Sequence, residues 1–278
     1  IHIYILIKPI KGWYILIIKT FKLSPKNILI AFALAITAAV AVKAAPPAAK
    51  AVFSVASNSE RLLPIYCVET EKPQIAISFD AAWGADDTDT LLQILEENDV
   101  KTTFFMCGYW VDKYPEEVKK IAEAGHDLGN HSATHPHMSQ LSKEQIKEEL
   151  ITTGNKIEEL TGVKSELFRP PFGEYTNDVI SAAEECGYYT IQWDVDSLDW
   201  KEYGAQEEIS KVLNHKKLGN GSIILFHNDA KYTPQALDSI IKGLKEKGYE
   251  IVPISELIMR ENYTINAEGR QVSTENKE

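Results

Sequence analysis

Residues 74–99, QIAISFDAAWGADDTDTLLQILEEND, carry the pattern on which the fold turns. Ile75–Phe79 is a short apolar run of the kind that forms a buried strand. Thr88–Asn98 then sets Leu91, Leu92, Ile94 and Leu95 on one helical face, behind Asp and Thr residues suited to cap its start. Strand, polar loop and amphipathic helix follow one another within 26 residues, the grammar of a βα unit.

The same alternation continues down the chain. Strands are expected at Lys101–Met106, His126–Asn130, Leu167–Arg169, Tyr189–Trp193, Ser222–Phe226 and Tyr249–Val252. Helices are expected at Pro115–Ala124, Ser142–Thr161, Tyr175–Cys186, Gln206–Leu213 and Pro234–Lys247. Ser142 and Gln145 have capping-box spacing, and Gly162 stands where that helix should stop. Seven strands separated by helices predict an α/β fold with a parallel sheet, and closure into a barrel would place its working residues on the loops after the strands.

Upstream, the chain reads differently. Lys19, Lys22 and Lys26 precede Ile28–Val42, which carries no charge, and Val42-Lys43-Ala44 offers small residues at the positions before a cleavage point. This describes a secretory signal or an N-terminal membrane anchor over 1–44, hence an exported protein on the cell-wall side of the membrane. Residues 3–18 receive no assignment, 45–72 read as linker and extended lead-in, 73–260 as the catalytic-type domain, and 261–278 as a polar tail, disordered after Asn266. A monomer is expected.

The formal net charge is −11. Residues 1–50 hold seven lysines and no acid, so the remainder carries −18 (−11 less 7). A domain that acidic, without a Lys/Arg cluster, excludes nucleic acid as the expected partner. Cys67, Cys107 and Cys186 form no CxxC, and small buried thiols are expected, with one disulfide the alternative in an exported protein.

The polar residues that follow the apolar runs are those chemistry would use. His131 and His135 lie four apart, where a turn or tight loop can aim both imidazoles at one ion. Asp80 ends the first strand, Arg169 the fourth, Asp199 follows the fifth, and His227 ends the sixth. Amide hydrolysis needs a metal-activated water, a base, an acid for the leaving amine and an oxyanion partner. Asp80 fits the base, His131 and His135 the metal, and His227 the acid, oriented by Asp199. Alone, the histidines have an ordinary reading as solvated loop residues, and Asp80 as a helix cap or loop acid. His137 is expected as a loop or supporting residue, and Trp83, beside Asp80, is the best candidate to stack on a sugar.

Five segments together, Ser78-Phe79-Asp80, Gly129-Asn130-His131-Ser132-Ala133-Thr134-His135, Arg169-Pro170-Pro171-Phe172-Gly173, Asp196-Ser197-Leu198-Asp199-Trp200 and Leu225-Phe226-His227, resemble the motifs of polysaccharide deacetylases of carbohydrate esterase family 4, the NodB-homology group, in that family's order. The resemblance implies a distorted (β/α)7 barrel and metal-dependent removal of N-acetyl groups from GlcNAc or MurNAc units, with peptidoglycan or a chitin-like oligosaccharide as partner. It implies Asp80 as base tethered by Arg169, and one divalent ion (Zn, or else Co, Ni or Fe) on His131 and His135. It implies His227 as acid tuned by Asp199, an oxyanion contact from the Phe172 N–H, and an acetyl pocket shaped by Trp200 and Leu225. One departure is plain: the family carries a second Asp directly after the base as third metal ligand, and here Ala81 stands there. Asp86, Asp87, Asp80 itself or water remain as substitutes, although a cap on the Thr88 helix is the expected work of Asp86 or Asp87. Three functions follow: a cell-wall N-deacetylase, a glycan-binding homologue silenced by Ala81, or a hydrolase of a small non-peptide amide.

Overall fold

The computed structural model describes residues 5–10, 13–18 and 61–275. The expected signal segment, Ile28–Val42, lies outside the described residues. Residues 1–60 and 61–278 separate into two units. In the first, β1 (Ile5–Ile10) pairs antiparallel with β2 (Trp13–Ile18).

In the second unit the described strands are β3 (Cys67–Val68), β4 (Gln74–Ala81), β5 (Thr103–Met106), β6 (Asp127–Asn130), β7 (Leu167–Phe168), β8 (Tyr189–Thr190), β9 (Val195–Asp196), β10 (Ile223–His227) and β11 (Glu250–Ile251), then β12 (Tyr263–Ile265) and β13 (Arg270–Ser273). The main sheet runs β8-β7-β6-β5-β4-β10-β9, and its pairings are parallel. β11 adds a parallel pairing at the start of β4. The helices are α1 (Thr88–Glu97), α2 (Gly108–Lys113), α3 (Pro115–Glu123), α4 (Lys143–Thr161), α5 (Asn177–Glu185), α6 (Ala205–Leu213), α7 (Thr233–Glu246) and α8 (Ile254–Leu257). The expected capping box on α4 is made in full, and Gly162 ends it in the left-handed conformation. The expected cap on α1 is not: Asp87 occupies the position, but its side chain makes no capping hydrogen bond.

Barrel curvature follows from one short link. The run expected as a single strand, Tyr189–Trp193, divides into β8 and β9, which lie at opposite edges of the sheet although four residues separate them. A sheet whose two edges are joined by so few residues must curl until they approach. The lead-in fills the seam: Ile65 bridges Ile191, and Cys67 bridges Ser222. The curled parallel sheet is a half-barrel, consistent with the distorted (β/α)7 barrel that the resemblance implies. From Ile65 the extended lead-in is part of the barrel wall.

The tail expected to be disordered is also structured. β12 and β13 form a hairpin whose second strand pairs with β3, and Gln271, fully buried, exchanges side-chain hydrogen bonds with the Met259 backbone. Polar composition alone hid a strand whose polar groups are satisfied locally. The three cysteines are free, two buried and Cys186 half-buried.

Strand alternation sorts side chains between two apolar clusters. Ile75, Ile77, Phe79, Ala81, Phe104, Met106, Ile224 and Phe226 pack outward against the helices. Ala76, Phe105, Leu167, Ile191 and Ile223 fill the barrel interior. Successive strand residues face opposite ways, so Ser78, Asp80, Leu225 and His227 share the inner face, stacked above the interior cluster at the C-terminal ends of their strands. Register puts His227 opposite Asp80.

Candidate active site

Asp80 is the most constrained group. It is buried on β4, and Arg169 Nη1 donates to its Oδ1 at 2.8 Å. Arg169 is itself fully buried. Its Nη2 donates to Ser78 Oγ at 2.8 Å and to the Gln192 carbonyl at 3.2 Å, and its guanidinium lies over the Phe105 ring. Burial raises the Asp80 pKa, but the Arg169 charge and hydrogen bond, together with the His131 and His227 charges, outweigh it and hold the carboxyl below its ordinary value. Asp80 is thus an ionised acceptor fixed in direction.

His131 is buried on the loop leaving β6. Its Nδ1 lies 2.7 Å from the Arg169 carbonyl oxygen, so this nitrogen carries the proton and donates. Its Nε2, 3.6 Å from Asp80 Oδ2, is left with the lone pair. Burial pulls the His131 imidazole down, and burial with the nearby His131 pulls His135 to about 4. Both rings are neutral donors of the kind metals take, with centroids 5.0 Å apart. The loop holding them is braced at each turn. Ser132 N donates to Asn130 Oδ1, His135 N to Ser132 Oγ, and Ala133 N and Thr134 N both to Glu149. Gly108 starts α2 against this loop, where a Cβ would meet Thr153 Oγ1 at 2.8 Å and Ala133 Cα at 3.0 Å. Ser132 and His135 both sit at positive φ, strain that the surrounding bonds sustain.

His227 faces Asp80 across the pocket. Its Nδ1 donates to Asp199 Oδ1 at 2.8 Å, and its backbone N–H to Asp199 Oδ2 at 2.7 Å. Burial pulls the imidazole down, yet the Asp199 hydrogen bond and charge prevail and push it up to about 8. With Nδ1 committed, Nε2 is the nitrogen left to give a proton to a ligand. A cavity of about 610 Å³ joins Asp80, His131, His135 and His227 with Trp83, Phe172, Trp200 and Leu225. Trp83, Phe172 and Trp200 are each more than half exposed on its rim. Trp83 sets an edge against His135, and Phe172 stacks on His137. His137 itself bonds Glu174 at 3.0 Å, as a supporting residue would.

All ten residues singled out in the sequence therefore converge: nine line the cavity, and Arg169 stands behind Asp80. Sequence reasoning missed Ser78, Glu149 and Asp196. Ser78 was legible, because it precedes Asp80 by two on a strand and shares its face. Asp196, which accepts from Leu198 N and Trp193 Nε1, lies in the same motif as Asp199. Glu149 is one of several acids on a long helix, and nothing in the sequence separates it from its neighbours.

The donor set does not fit a three-ligand metal centre. Catalytic zinc sites generally keep three protein ligands and an open position. Among the described residues, no group of three His, Cys, Asp or Glu side chains is arranged to hold an ion. Ala81 is fully buried with the outward-facing cluster. Asp87 clusters with Asp86 and Asp229, and neither Asp86 nor Asp87 lines the pocket.

The profile of the polysaccharide deacetylase family matches residues 68–191. A peptidoglycan-N-acetylglucosamine deacetylase of Bacillus cereus is 33% identical over 193 residues, 67% of this chain and 68% of that protein. The chain belongs to the polysaccharide deacetylase family. Another relative of this deacetylase-family chain is the uncharacterised protein YlxY of Bacillus subtilis, 38% identical over 195 residues, 70% of this chain and 60% of YlxY. A similar solved structure is that of BA3943 of Bacillus anthracis, described as a carbohydrate esterase family 4 pseudoenzyme. It has a TM-score of 0.67 at 37% identity and covers 70% of this chain and 68% of its own. A mutant of BA3943 is described as having restored enzymatic activity.

Proposed function

We propose that this chain recognises N-acetylated cell-wall glycan, with peptidoglycan the expected polymer, in a deacetylase pocket whose hydrolytic step is disabled at Ala81. The observation that carries this is the donor set: two neutral imidazoles with a buried methyl group where the family's third ligand stands. The pocket otherwise keeps what a bound GlcNAc or MurNAc unit would meet, namely an ionised Asp80, a protonated His227 and an aromatic rim. Likeness to a Bacillus anthracis pseudoenzyme supports the reading, and likeness to a Bacillus cereus peptidoglycan deacetylase supports the polymer. The basic and apolar character of residues 19–44 supports display on the outer side of the membrane.

A second reading has its own observation. The buried Asp80–Arg169 pair is intact, and so is the pair of half-buried His227 with buried Asp199, as N-deacetylation by a base and an acid would require. In it, this chain removes N-acetyl groups with a divalent ion, zinc in the first instance, held by His131, His135 and weaker oxygen donors.

The experiment measures bound metal, glycan affinity and acetate release for the wild type and Ala81→Asp, with and without added Zn²⁺ or Co²⁺. The first reading expects the wild type to bind GlcNAc oligomers or peptidoglycan fragments without releasing acetate. Ala81→Asp, which restores a carboxylate at the end of β4 where the family's third ligand stands, is expected to take up one ion, gain thermal stability from it, and release acetate. Chelator-sensitive acetate release by the wild type overturns the first reading in favour of the second. Glycan binding by neither protein overturns both.

A further inference from the structure

Behind His227, the hydrogen bonding does not stop at Asp199. Asp199 Oδ2 accepts from Thr233 Oγ1 at 3.2 Å, and Thr233 Oγ1 lies 3.0 Å from Glu208 Oε1. Thr233 opens α7, Glu208 sits in the first turn of α6, and Asp199 starts the 3-10 turn that leaves β9. Three elements thus meet around one hydroxyl. All three residues are almost fully buried, Glu208 being 4% exposed. A buried carboxyl needs a cation or a reason to stay neutral. Tyr203, Glu207 and Lys211 line the small recess beside Glu208, and Lys211 is engaged with Glu207.

The Thr233 hydroxyl has one proton to give. Given to Asp199, it leaves Thr233 Oγ1 free to accept only, and a protonated Glu208 then completes the order: Glu208 O–H to Thr233, Thr233 O–H to Asp199, His227 N–H to Asp199. We propose that Glu208 is a positioning residue at the far end of this chain, and that its protonation governs how firmly His227 keeps its proton. The role concerns His227 itself and stands whether the pocket hydrolyses glycan or only binds it.

The electrostatics fix the sign. Burial pushes Glu208 up to about 7, the Asp199 charge adds to that, and the Thr233 hydrogen bond holds it back. Glu208 and His227, the latter pushed up to about 8, therefore titrate in the same pH range. The negative charge of ionised Glu208, two hydrogen bonds from Asp199, adds to the field that holds the imidazolium and raises its affinity for the proton. Around neutral pH the two groups titrate against each other, and the imidazolium persists to higher pH than Asp199 alone would allow.

The test is the pH titration of the His227 ring by NMR of histidine-labelled protein, assigned with His227→Gln, for wild type, Glu208→Gln, Thr233→Val and Thr233→Ser. Glu208→Gln keeps a donor for Thr233 but cannot ionise. The wild type is expected to show a midpoint near 8 with a second inflection near 7. Glu208→Gln should lose that inflection and drop the midpoint by about one pH unit. Thr233→Ser should reproduce the wild type, and Thr233→Val, with Asp199 short of a donor, should raise the midpoint. A wild-type curve in Glu208→Gln overturns the proposal. So does one in Thr233→Val, which keeps the proposal refutable should the Gln variant fail to fold. The measurement needs neither metal nor glycan, so its outcome is separate from that of the acetate assay.

Discussion

Arg169→Met isolates the interaction around which the site is assembled. The substitution removes the guanidinium that donates to Asp80 and Ser78, both at 2.8 Å, and to the Gln192 carbonyl. It keeps apolar bulk over Phe105. Asp80 is 6% exposed, so its carboxylate is then buried without its cation. Breaking a buried pair from one side costs about 3–5 kcal/mol. At roughly 2–4 °C per kcal/mol for a domain of this size, the melting temperature should fall by about 10 °C at pH 7. Linkage gives the pH signature. In the wild type the Asp80 pKa is lowered, so its contribution is present above the unfolded carboxyl value of about 3.9 and lost as pH falls through the folded one. In Arg169→Met burial outweighs the smaller pull of His131 and His227 and raises the folded pKa above the unfolded one. The deficit should therefore grow as pH rises and shrink as Asp80 takes a proton. Adding Asp80→Asn removes the stranded charge and should recover much of the loss. Urea unfolding at pH 5 and pH 7 across the four proteins of this double-mutant cycle is the assay. A deficit that does not change with pH, or a double variant no more stable than Arg169→Met, would refute the reasoning.

His126 gives a second linkage test. It accepts the Thr102 N–H on Nδ1 at 3.1 Å, and burial, aided by the Lys101 charge, pulls it to about 4. Because its folded pKa lies below the unfolded value of about 6.5, stability should be full above that value and fall by about 3 kcal/mol as pH drops to 4. His126→Gln, which can still accept from Thr102 but does not titrate, should flatten that stretch of the pH–stability curve. Trp83 is 55% exposed and braced edge-on by His135. Trp83→Ala should weaken glycan binding by roughly 3- to 10-fold, the scale of one aromatic contact, with the melting temperature little changed. Calorimetric titration with GlcNAc oligomers reads this, and unchanged affinity would remove Trp83 from the binding surface.

The chain order of apolar runs and helical faces determined the βα alternation, and with it the placement of Asp80, Arg169 and His227 at strand ends. Those signals are local: period-two and period-3.6 burial, a capping box at Ser142, a glycine stop at Gly162. The motifs determined the family, and the single letter at position 81 raised the question of whether the site works. Tertiary structure decided the rest, because it depends on residues far apart in the chain. Closure of the barrel depends on Ile65 and Cys67 bridging Ile191 and Ser222, and on a tail hairpin whose polar side chains gave no strand pattern. The donor set around His131 was decided there too, since only folding shows that Ala81 packs with the outer core and that Asp86 and Asp87 stay outside the pocket. The chain from His227 to Glu208 spans four elements. A carboxyl whose pKa burial raises cannot be told in sequence from a solvated one, because what sets its charge is the surroundings that folding brings to it.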